Sequence, residues 1–377
     1  MRALINAFII HLTLNILMFI KGWNVFEKRR VARIVLIVIF GLELLIYTFG
    51  FIFYRYLPPY ITHNIRLMGT GWMLFLLYAG GIILLLDVGY LLWKRSILKP
   101  KILITQSRRT KLSIFFSSVF ITILLLSYGS YKFNHPSVNH VDINISKPAG
   151  GIDSVRIAVV GDMHLGYLIN KDDARRFVDL IMVQQPDMIL MVGDIFDSYI
   201  EPVVEQKMNE ELIRLRAPLG VFACMGNHEH RHDTEEKVQY LVDTGITMLR
   251  DSSALVNNAL YVVGREDLAD LSRLPTTDLL EKQRVDMSKP VIVLNHNPYN
   301  LEEESAAGAD IALYGHTHDG QAFPGNIIVR LLYEVSHGYK KKGDTHVYVT
   351  SGIGIAGPQY RIGTVSEIAI LNVKFGK

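Results

Sequence analysis

The first third of the chain contains four long apolar stretches, at residues 3–20, 31–53, 67–93 and 112–131. Each reaches or approaches the ~20 residues needed to cross a bilayer. The whole chain of 377 residues is 50% hydrophobic, too apolar for an ordinary soluble protein of this size. The first stretch has almost no basic leader and no small-residue cleavage site, and three more stretches follow it. It therefore reads as a spanning helix, not a removed signal peptide. Residues 1–131 are thus expected to form a transmembrane region of about four helices.

Charge divides the chain. Residues 1–140 hold 16 Lys and Arg against three acids, Glu27, Glu43 and Asp87, whereas residues 141–377 hold 23 Lys and Arg against 33 acids. Basic residues cluster between the first and second stretches (Lys21, Lys28, Arg29, Arg30, Arg33). They cluster again between the third and fourth (Lys94, Arg95, Lys99, Lys101, Arg108, Arg109, Lys111). Apart from Arg2, the remaining flanks carry only Arg55, Arg66 and Lys132. By the positive-inside rule the first and third connections face the cytoplasm, so both termini lie outside it. The acidic C-terminal part suits cations and argues against a nucleic-acid partner. Glu43 and Asp87, inside the stretches, read as buried pairs with His11, Asn15 or a backbone group. The single cysteine, Cys224, rules out an internal disulfide and reads as a small buried residue.

Residues 132–154 read as a linker, bounded by Asn134-His135-Pro136-Ser137 and Pro148-Ala149-Gly150-Gly151. From 155 to 377 the pattern becomes that of one globular body. Short β-branched runs fall at 155–160, 188–192, 220–225, 260–263, 291–294, 311–314, 347–350 and 368–373. Helical stretches are expected at 173–184, 203–214 and 235–244. Strands alternating with helices predict an α/β fold, with a mixed sheet or two packed sheets.

Five of these runs end in metal-type ligands: Asp162-Met163-His164, Asp194-Ile195-Phe196-Asp197, Asn227-His228-Glu229, His296, and His316-Thr317-His318. In open α/β sheets ligands bind outside the carboxyl ends of strands. Residues i and i+2 at a strand end point the same way, which gives the Asp-x-His and His-x-His spacings a shared centre. A preceding glycine would let the backbone turn with positive φ. Imidazole, carboxylate and amide oxygen together suit borderline divalent ions such as Mn²⁺, Fe²⁺, Zn²⁺ or Ni²⁺. So many ligands exceed the needs of one ion and imply two, with a carboxylate as the natural bridge.

Asp162-Met163-His164, Gly193-Asp194-x-x-Asp197, Gly226-Asn227-His228-Glu229, His296 and Gly315-His316-Thr317-His318 resemble, in order, the signature of the calcineurin-like metallophosphoesterase superfamily. Residues 315–321 and Ser351-Gly352-Ile353-Gly354 further resemble its membrane-associated bacterial branch, with Asp319 departing where glycine is usual. The resemblance implies a two-sheet β-sandwich flanked by helices. It implies Asp162, His164 and His318 on one metal, Asn227, His296 and His316 on a second, and Asp194 bridging them. His228 would sit off the metals and act on the phosphate as the catalytic residue, oriented by Asp197. The expected activity is hydrolysis of a phosphomonoester or phosphodiester by a metal-bridging hydroxide, in a bacterial multi-pass membrane protein with its catalytic body outside the cytoplasm. A lipid-linked substrate, such as a UDP-diacylglucosamine, is the alternative; a non-catalytic phosphate-binding sensor is the reading of another class. No oligomeric state follows. His230 and His232 could line the pocket, while His135, His140, His337 and His346 read as ordinary residues. Glu229 reads as a salt-bridge acid, Glu302-Glu303-Glu304 as a solvated helix start, and Lys340-Lys341-Lys342 as a mobile loop.

Overall fold

The computed structural model describes residues 2–95 and 108–377, so Lys99 and Lys101 of the second basic cluster lie outside the described residues. The chain divides into two compact units, residues up to 129 and residues from 130 onward.

The first unit is helical: α1 (Arg2–Val25), α2 (Arg30–Phe53), α3 (Pro59–Arg95) and α4 (Arg108–Asn134), with a 3₁₀ turn at Tyr54–Tyr56. All four are long and apolar enough to cross a membrane. Their large aliphatic side chains point outward, Val31 at 75%, Leu45 at 68% and Leu85 at 73% exposure, the reverse of a water-soluble bundle. Polar groups turn inward and pair. His11 Nε2 lies 3.2 Å from Glu43, and Trp72 Nε1 donates to Asn15 Oδ1 at 3.1 Å. Asp87 pairs with Lys21, not with the His11 or Asn15 that the sequence offered.

The second unit runs β1 (Ser137–Pro148), β2 (Ser154–Val160), α5 (Lys171–Met182), β3 (Met188–Met191), α6 (Glu201–Glu205), α7 (Asn209–Leu212), β4 (Val221–Cys224), α8 (Thr234–Asp243), β5 (Thr247–Leu249) and β6 (Ser252–Val256). It continues with β7 (Leu260–Gly264), α9 (Thr276–Lys282), β8 (Val291–Leu294), α10 (Leu301–Ala306), β9 (Ile311–Tyr314), α11 (Gly325–Leu332), β10 (Gly338–Lys342), β11 (Thr345–Val349) and β12 (Glu367–Gly376). Two mixed sheets result, in the orders β1-β12-β2-β3-β4-β5 and β10-β11-β9-β8-β7-β6. The inner strands β3, β4, β8 and β9 are buried along their whole length because both faces are covered. In β2, Ile157 and Val159 face the other sheet and share one core with Leu190 of neighbouring β3 and with Ile292 and Leu313 of the facing sheet. Ala158 and Val160 face outward and pack with Phe177 and Ile181 of α5. The architecture is a two-sheet sandwich flanked by helices.

Three expectations are corrected here. The segment 132–154 carries strand β1, paired in parallel along β12, instead of a free linker. Turn signals at its two ends hid the alternation of buried Ile143 and Ile145 with exposed Asp142 and Asn144. The helix expected over 203–214 breaks into α6 and α7, between which Lys207 adopts a left-handed φ of 52°. Lys340-Lys341-Lys342 belongs to edge strand β10, and Glu334 holds Lys340 at 2.8 Å and Lys342 at 2.9 Å.

Candidate metal centre

The chain leaves β2, β3, β4, β8 and β9 at the same edge of the sandwich, and the ligand residues follow just beyond those ends. Their convergence does not come from continuing the strands. Asp162, His164, Asp194, His316 and His318 all take left-handed backbone, with φ of 51°, 51°, 51°, 71° and 50°. Non-glycine residues rarely hold that conformation, and it concentrates where side chains must be aimed. Of the glycines preceding the ligands, only Gly193 has positive φ, at 80°. Gly226 and Gly315 serve close approach instead. A Cβ on Gly226 would strike Asp194 Oδ1, and one on Gly315 would strike Asp162 Oδ2.

The side chains meet in three overlapping groups whose ligand atoms lie within 4.8 Å of one another: Asp162, His164 and His318; His164, Asp194 and His228; Asp194, His296 and His316. Asp194 Oδ2 lies 3.2 Å from His296 Nε2, 3.7 Å from His164 Nε2 and 3.9 Å from His228 Nε2. His164 and His318 turn their Nε2 atoms to within 3.0 Å of each other, and Asp162 Oδ1 stands 3.4 Å from His318 Nε2. Asn227 Oδ1 is 2.9 Å from His316 Nδ1, which lies 3.3 Å from His296 Nε2. All seven expected ligands and His228 are therefore gathered in one place.

The electrostatics fit a cation. Burial pushes His164 down to about 4. Burial and the neighbouring His296 hold His316 at about 4. Burial, with His164 beside it, depresses His318 well below the usual range. These three rings are neutral, as ligation requires. Burial raises Asp162 to about 7. Burial also acts against charge on Asp194, but the surrounding imidazoles, His296 foremost, outweigh it and hold the carboxyl far below its usual range. Burial likewise opposes protonation of His296, yet Asp194 lifts it to about 10. Neutral imidazoles, two carboxylates and an amide oxygen facing one another fit a two-ion centre.

Supporting residues fix the ligands. His296 Nδ1 lies 2.7 Å from the Val192 carbonyl, which turns Nε2 toward Asp194. The backbone N–H of His316 donates to Asp162 at 3.0 Å, and that of His228 to Asp194 Oδ1 at 2.8 Å. His228 Nδ1 contacts the Asp197 carbonyl and lies 3.4 Å from Asp197 Oδ1. His230 is held by Glu266 at 3.0 Å, and His232 stacks on Tyr199.

Glu229 is buried and acts through amides instead of a salt bridge. It accepts from Asp194 N at 2.8 Å, Gly226 N at 2.9 Å and Phe196 N at 3.0 Å, which ties two ligand loops together. Glu304 is buried too, not solvated, and accepts from Tyr314 at 2.7 Å, Asn295 at 2.9 Å and Arg265 at 3.0 Å. Asp319 is held by Ser336 Oγ at 3.2 Å and Arg330 at 3.1 Å.

Two further residues went unread in the sequence. Arg361 is fully buried and donates to the carbonyls of His318 at 2.8 Å and Ser351 at 2.7 Å. Asp267 lies three residues beyond the end of β7, and its buried Oδ2 has no hydrogen-bond partner among the described residues. The strand-end rule that picked out the expected ligands would also have pointed to Asp267; nothing local marks Arg361.

Comparison with known proteins agrees with this geometry. The family described as calcineurin-like phosphoesterase matches residues 155–320. An uncharacterized metallophosphoesterase of Aquifex aeolicus is 30% identical over 262 residues, covering 68% of this chain and 98% of that one. One from Helicobacter pylori is 31% identical over 333 residues, covering 86% and 85%. A zebrafish (Danio rerio) transmembrane protein with metallophosphoesterase domain is 29% identical over 272 residues, covering 68% of this chain and 62% of that one. With the Aquifex relative matched over 98% of its length and the Helicobacter one over 85%, at 30% and 31% identity, the chain belongs to the calcineurin-like phosphoesterases and is a metal-dependent phosphoester hydrolase.

Proposed function

We propose that this chain is a membrane-anchored phosphohydrolase that acts outside the cytoplasm on a phosphomonoester or phosphodiester. Residues 1–131 form the anchor, and residues 155–377, completed by β1, form the catalytic body. The four apolar helices support anchoring, and the basic residues beside α1, α2 and α4 support the orientation. The zebrafish relative is itself named as a transmembrane protein.

Asp162, His164 and His318 would hold one metal and Asn227, His296 and His316 a second, with the Asp194 carboxylate between the two ligand sets. Two divalent ions, Mn²⁺, Fe²⁺ or Zn²⁺, would supply Lewis acidity toward the phosphate oxygens and a water acidic enough to attack near neutral pH. The protein's own groups do the rest. Asp194 places its carboxylate between the two ligand sets, and Glu229 and Arg361 keep the loops in position. His228 is bound at Nδ1 by Asp197, which leaves Nε2 to donate to the phosphate or to the leaving oxygen.

The observation that carries this reading is Asp194 Oδ2 facing three imidazoles. Its test is the Asp194→Asn variant, purified whole in detergent and loaded with Mn²⁺. Metal content should drop and hydrolysis of an aryl phosphodiester should fall by more than about 100-fold. Two retained ions in that variant would refute the bridging role.

A further inference from the structure

Helix α11 is seated on the loop that carries His316 and His318. Arg330 reaches Asp319, the neighbour of His318, at 3.1 Å. Tyr333, just past the helix, has its ring 6.4 Å from that of His316. At the other end Gly320 lies so close to the backbone of Gly325 that a Cβ there would collide with it.

The rest of the helix is unlike a soluble surface element. Asn326 is the one buried residue of its eight. Ile327 is 49% exposed, Ile328 55%, Leu331 82% and Leu332 70%, and Phe323 before the helix is 49% exposed. Five large apolar side chains within ten positions form a contiguous patch of the kind that marks an interaction surface. Its rim is aromatic and charged. A cleft of about 390 Å³ beside it is lined by Tyr333 and Tyr339 and by the ion pairs Arg330–Asp319 and Lys340–Glu334. Exposed Lys341 lies on the same strand as Lys340.

An apolar helix face edged by Tyr333, Tyr339 and the exposed Lys341 suits an anionic bilayer surface, where the aliphatic groups enter the acyl boundary, the tyrosines sit at the interface and the lysine meets headgroups. The same chain carries four helices of membrane-spanning length, and β1 starts three residues after α4 ends. We propose that α11 and Phe323 embed in the face of an anionic bilayer and present the metal centre to phosphate esters borne by lipids of that bilayer. This rests on the phosphohydrolase reading above.

The test uses the full chain in vesicles of phosphatidylcholine and phosphatidylglycerol. Cys224 is buried, so Leu331→Cys offers a selective position for an environment-sensitive fluorophore. Blue-shifted emission, quenched by spin-labelled acyl chains, is the expected result. Quenching by aqueous iodide would overturn the proposal, and so would protection from both quenchers, which would identify a protein contact. In parallel, turnover of phosphatidic acid and phosphatidylglycerol is compared with that of the aryl phosphodiester. The double variant Ile328→Ser, Leu331→Ser should lower the lipid-to-aryl ratio by about tenfold. An unchanged ratio, or no turnover of either lipid by the parent protein, would overturn the proposal. No turnover of the aryl ester would instead overturn the phosphohydrolase reading, while the fluorophore would still report embedding.

Discussion

His228 meets Asp194 through its backbone N–H at 2.8 Å, while its ring Nε2 stands 3.9 Å from Asp194 Oδ2 and its Nδ1 is engaged by Asp197. Replacing the ring should therefore leave the ligand sets standing. His228→Ala is expected to keep nearly full metal content while hydrolysis of an aryl phosphodiester falls by about 10²–10⁴, the usual span for a lost proton donor. Metal analysis and turnover on one sample check this, and equal loss of metal would place His228 on the ions instead. Ligands of this kind were legible in the sequence because each follows an apolar run by two to four positions, a signal written in neighbouring letters. Arg361 carries no such signal, because the carbonyls of His318, Ser351 and Gly354 that it binds come together only after folding. Glu304 misled for the same reason. An acidic triplet looks solvated until Arg265, 39 positions earlier, is found against it.

At the scale of elements, the strands leading into the metal centre were plain from their β-branched composition, whereas the short or edge strands β1, β5, β6 and β10 were not. Strand β1 is the instructive case. Its Pro-rich ends read as punctuation, and only burial of Ile143 at 1% and Ile145 at 5% shows that the segment works as structure. A linker would tolerate truncation there; a packed strand would not. Ile143→Ala should cost about 2–5 kcal/mol, the range for emptying a buried aliphatic site. A denaturation series on the detergent-solubilised protein measures this, and an unchanged midpoint would return the segment to the status of a tether. The left-handed residues were equally hidden, since nothing in Asp-x-His announces that φ is positive at both ends of the motif.

For the whole molecule, anchoring and orientation combine into one expectation. If the basic connections beside α1, α2 and α4 stay in the cytoplasm, protease added to intact cells should digest the body from residue 130 onward while leaving the first unit shielded. Protection of the body until lysis would place the catalytic face on the opposite side. The order of strands has a consequence for biogenesis. Strand β12 is inserted between β1 and β2, so the two strands that leave the ribosome first never touch each other and wait for one made more than 200 residues later. Until that strand arrives, a nascent chain already threaded into lipid by its helices holds an open slot with unsatisfied backbone amides on both sides. Premature termination would leave the slot open for good, exposing an aggregation-prone edge on a protein that cannot diffuse away from its neighbours.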